Sequence, residues 1–168
     1  MAELTKSKLE SMRDIAEKIA DAHSITGAWF FLEALLAQVG ITHHNGYTFH
    51  KRIKKLAPGK ARPTTKNLRV SIHGVNIIVA VPAFGDIEYR KVRGSLMRCM
   101  TCGNGIPVGL LLNPAQLTVF KIDQDVRPFK PRESDNYDVV DELEMVIEFL
   151  GSLRRPDLEE RYTSLAVE

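Results

Sequence analysis

At 168 residues, with 44% hydrophobic and 26% charged residues, the chain has the composition of one globular domain and can bury a core without metal or disulfide staples. A net charge of +2 points to no class of partner, and two cysteines, Cys99 and Cys102, exclude a secreted disulfide framework. The opening MAELTKSKLE lacks the apolar core a signal peptide needs, and no uncharged apolar run reaches the roughly 18 residues of a bilayer span, so a cytoplasmic location is expected.

Leu9, Met12, Ile15 and Ile19 recur at helical spacing, which predicts an amphipathic helix over about residues 5–22. A second helix is expected from Gly27 to Val39, with Thr26 as N-cap and Gly40 as stop. Trp29, Phe30, Phe31, Leu32, Leu35, Leu36 and Val39 cover most of its circumference, so it should be central and buried. Tyr47, Phe49, Lys51 and Ile53 alternate with Thr48, His50 and Arg52, as in a strand with one buried face. The following KRIKKLAPGKARPTTKNLR reads as a loop or hairpin tip.

Two strands, Leu68–Ile72 and Val75–Val81, hinge at His73-Gly74, and the second is apolar enough to be covered on both faces. A helix follows from Asp86 to about Thr101, then strands at Val108–Leu112 and Leu117–Ile122. Residues 123–137 read as a polar connector, and Val139–Leu150 as an amphipathic helix. These elements form one domain over 1–153 and leave 154–168 as a charged C-terminal tail. The crossover between residues 75 and 112 demands a parallel strand pair. The expected class is α/β, with a mixed four- to five-stranded sheet and flanking helices.

The densest local signal is basic. Lys51, Arg52, Lys54, Lys55, Lys60, Arg62, Lys66 and Arg69 fall in one stretch without Asp or Glu. Such clusters favour phosphate contacts through counterion release, with Arg90 and Arg93 of the later helix extending the surface. The opposing reading is a solvated loop balanced by the acidic final helix, with Asp135, Asp138, Asp141, Glu142 and Glu144. Cys99 and Cys102 make a lone CxxC at a helix C-terminus, where the dipole disfavours a thiolate, so they read as structural. There is no GxxxxGK[ST], GxGxxG or GxSxG, and neither a metal nor another cofactor is expected.

Phe31-Leu32-Glu33-Ala34-Leu35, the strand Ile77–Pro82 and Val108-Gly109-Leu110-Leu111-Leu112-Asn113 are similar to corresponding elements of the GxxExxY family. That family has the restriction-endonuclease-like PD-(D/E)XK fold, and the resemblance spans about residues 25–122. It implies an αβββαβ core and nuclease ancestry. The chemistry of that fold requires two carboxylates on Mg²⁺ and a lysine. At the matching positions this chain has Val70, Ala80 and Pro82, which supply neither ligand nor amine.

The leading expectation is therefore a non-catalytic accessory or regulatory protein that binds nucleic-acid backbone through residues 51–69. One alternative is an assembly subunit that docks a protein partner or another copy of itself. Another is a metal-dependent nuclease with a migrated site built from Glu33, Asp86, Glu88 and Lys91. No membrane partner is expected.

Overall fold

The computed structural model describes residues 5–22, 25–53, 65–83, 86–113 and 115–167, with the side chains of 20, 22, 25, 26, 53, 65, 66, 86–88 and 162–167 outside the description. Helices α1 (Lys6–Ala22) and α2 (Ile25–Gln38) come first. A 3-10 turn at His43–Asn45 leads into strands β1 (Tyr47–Ile53), β2 (Thr65–Ile72) and β3 (Val75–Pro82). Then come α3 (Asp86–Met100), β4 (Val108–Asn113), β5 (Gln116–Lys121), β6 (Arg132–Asp138), α4 (Leu143–Ser152) and α5 (Pro156–Val167).

The strands form one mixed sheet in the order β1-β2-β3-β4-β5-β6. Only β3 and β4 run parallel, joined by the crossover through α3, and every other pair is antiparallel. The β2–β3 hairpin closes over His73 and Gly74 with Ile72 opposite Val75. Both turn residues have positive φ, 47° and 74°, the conformation a tight two-residue hairpin needs to match strand twist.

Strand alternation divides the core in two. Leu68, Val70, Ile78, Ala80, Leu110 and Val119 face one side, under α1, α2, α4 and Leu158 of α5. Val79, Val81, Leu111 and Phe120 face the other, under α3 alone. At Gly109 α3 lies so close that an added Cβ would stand 2.5 Å from Met100 Sδ.

Four expectations need correction. The sheet has six strands rather than four or five, because RESDNYD of the supposed connector pairs with β5. It is an edge strand whose side chains are mostly exposed, so backbone bonding holds it without the apolar alternation that marks a strand in sequence. The charged tail is helix α5, with Leu158 buried to 7% exposure. The last amphipathic helix starts at Leu143 rather than Val139, since Asp138 Oδ1 accepts hydrogen bonds from Val140 N and Asp141 N and holds a turn there. Finally, α2 is not enclosed all round: Phe30 is 66% exposed.

Candidate nucleic-acid interface

The antiparallel β1–β2 pair carries the two ends of the basic stretch. Its register sets His50 opposite Arg69 and Arg52 opposite Asn67. By alternation these residues project from the α3 face of the sheet, whereas Tyr47, Phe49 and Lys51 project from the other. His50 and Arg52 are exposed and Arg69 is half-buried. Among the described residues neither guanidinium has a carboxylate partner. Cross-strand neighbours stand about 5 Å apart, so Arg69 and His50 form one compact basic surface with Arg52 beside them.

Lys51 does not belong to that surface. Its ammonium lies 2.5 Å from Glu33 Oε1 of α2, on the opposite face. Arg93 is also elsewhere: its guanidinium sits 5.4 Å above the ring of Phe120 on β5. β5 is three strands from β2, about 14 Å across the sheet. Arg90, one turn earlier on α3, is exposed on the same flank as Arg93. Lys54, Lys55, Lys60 and Arg62 lie outside the described residues, as does the side chain of Lys66.

The acidic groups invoked to balance the basic stretch stand at the far edge. β6 carries Glu133, Asp135 and Asp138, and α4, which packs on β6, opens with Glu144 in its first turn. Five strand spacings separate β1 from β6, about 24 Å. The screening length at physiological salt is about 8 Å, so these acids leave the β1–β2 surface basic.

The Glu33, Asp86, Glu88 and Lys91 set is not assembled on one side. Glu33 contacts Lys51 on the α2 face, while exposed Lys91 belongs to α3 on the other face, and the side chains of Asp86 and Glu88 lie outside the description. Val70 and Ala80 share the α2 face and are buried to 0% and 1% exposure within the apolar core. Among the described residues no three His, Cys, Asp or Glu side chains are arranged to hold a metal. Cys99 is half-buried against the α3 core, and the exposed Cys102 donates its thiol hydrogen bond to Arg98 O at 3.3 Å.

His50 was not selected on sequence, although the alternation that pairs it with Arg52 was readable there. A second feature had no local signal. A cleft of about 420 Å³ opens between α2, the 43–45 turn and β1, lined by Ala37, Ile41, His43 and Phe49 together with Glu33 and Lys51. No family model, curated protein or solved structure matches the chain.

Proposed function

We propose that this protein is a non-catalytic accessory or regulatory factor that binds nucleic-acid backbone through the exposed end of the β1–β2 pair. The observation that carries this reading is the separation of charge. Arg52 and Arg69 lack acidic partners among the described residues, the acids of β6 lie across the whole sheet, and Asp157 and Glu159 of the nearer α5 pair with Arg155 and Arg154 of their own segment. A basic edge of this kind attracts phosphates and gains by releasing their counterions. The basic residues between β1 and β2 extend the same charge along the chain.

The scaffold we assign is restriction-endonuclease-like. Residues 25–113 run α2, β1, β2, β3, α3, β4, the order that the resemblance implies. On this assignment the carboxylate positions are occupied by Val70 and Ala80 in the core, which supports binding without cleavage.

The test is fluorescence anisotropy with single-stranded DNA, duplex DNA and RNA at graded salt, without metal. The paired change Arg52→Ala and Arg69→Ala should weaken binding about tenfold and flatten the log–log salt slope on duplex DNA by about 2. Failure of all three nucleic acids to bind at low salt would overturn the reading. Magnesium-dependent cleavage would overturn its non-catalytic half.

A further inference from the structure

Helix α2 is apolar around nearly its whole circumference, a pattern that suits a helix enclosed on all sides. Among the described residues, its own chain encloses only part of it. Trp29, Phe31, Leu32, Leu35 and Leu36 are at most 6% exposed, whereas Phe30 is 66% exposed and Ala34 and Ala37 are also open. At about 100° per residue, Phe30, Ala34 and Ala37 fall on one stripe about 60° wide. The charged side chains bordering this flank and its cleft, Glu33 of α2 and Lys51 of β1, pair with each other. Beside Ala37 lies the cleft lined by Ile41, His43 and Phe49.

We propose that α2 is the interface of a two-fold homodimer, packed antiparallel on α2 of a second copy so that each Phe30 fills the partner's cleft beside Ala37. The knob and the hole lie on one helix face, seven residues or about 10.5 Å apart along the axis. In an antiparallel pair centred between residues 33 and 34, position 30 of one chain faces position 37 of the other, and both knobs meet both holes at once. This is the self-complementarity an isologous contact requires. The axis passes beside Ala34, and such small side chains let helices approach to about 8 Å. No unpaired like charge is brought together, since Glu33 keeps its own Lys51. One helix face and a neighbouring cleft make a small interface against the roughly 800 Å² per partner of a standard one, so the dimer is weak and concentration-dependent.

The basic β1–β2 surface lies on the other face of the sheet, and the dimer does not depend on it. Sedimentation velocity from about 1 to about 200 μM should show a concentration-dependent rise from 18.9 kDa to twice that mass. Phe30→Asp and, separately, Ala37→Arg, which fills the cleft, should each weaken dimerisation more than about tenfold. Thermal melts of both variants establish that they fold. In a Cys99→Ser, Cys102→Ser background, Ala34→Cys should be joined to its own copy by a short bismaleimide, and Glu10→Cys on α1 should not. A monomer over the whole range overturns the proposal. So does a dimer that survives both α2 variants, or one joined at position 10 but not at 34. Capture of a different protein by Phe30 with no self-association would also overturn it.

Discussion

Tyr47 shows how much one side chain draws together. It is 1% exposed, and its Oη accepts a hydrogen bond from Arg155 N at 2.9 Å. The neighbouring Arg154 pairs with Glu159 at 2.8 Å and packs against Gly40, where a Cβ would stand 2.9 Å from its Nη1. Burial, reinforced by the charge of Glu159, pushes the Tyr47 hydroxyl above its ordinary pKa, against the lowering effect of the Arg155 hydrogen bond and of Arg154. The folded chain therefore keeps this proton at pH values where the unfolded chain has lost it. Its contribution to stability is complete below the unfolded value of about 10 and is lost as pH rises through the raised folded value. Tyr47→Phe leaves the Arg155 N–H without its acceptor and should cost about 1 kcal/mol at neutral pH in urea denaturation. The same variant should lose less stability than the parent above about pH 10. That Tyr47 points inward was legible from the alternation of its strand. Its partner was not, because 108 positions separate them.

At the scale of elements, α3 and α5 depend on single contacts that substitution can test. Gly109 on β4 admits Met100 of α3, itself 0% exposed, and a methyl group there would overlap the sulfur. Gly109→Ala should destabilise by about 1–3 kcal/mol through overpacking. Adding Met100→Ala should restore part of that loss, giving a coupling measurable in a double-mutant cycle. For α5, Leu158→Ala should cost about 2 kcal/mol, well above the value for an exposed tail residue. The start of α5 was present in sequence as Pro156 followed by Asp157 and Glu159 in the first turn. Its charge content read as a tail because the anchoring contacts, His73 Nε2 to Leu158 O at 3.0 Å among them, come from residues far along the chain. β6 was hidden for a different reason: its side chains are mostly exposed, and an edge strand of that kind needs no apolar period.

For the whole molecule, the sheet is a partition. It keeps the basic edge from the acidic one and the exposed stripe of α2 from the surface beside α3. The two proposals should therefore be separable by mutation. Phe30→Asp should diminish the mass increase while leaving the salt slope unchanged on an oligonucleotide short enough for one protomer. Arg52→Ala with Arg69→Ala should flatten that slope and leave the mass unchanged. Sedimentation and anisotropy on the same samples check both, and a variant that moves both readouts would show that the surfaces are coupled.

Periodicity determined the α/β class and the placement of the first five strands, because each depends on residues a few positions apart; the basic stretch was legible as composition, and the parallel pair followed from the crossover through α3. Tertiary structure decided the rest: which cations stand together, that Lys51 belongs to Glu33 and Arg93 to Phe120, and that Phe30 faces outward. Those outcomes follow from how elements stack and which edges stay free. No window along a single chain encodes that, because the neighbours it depends on lie tens of residues away.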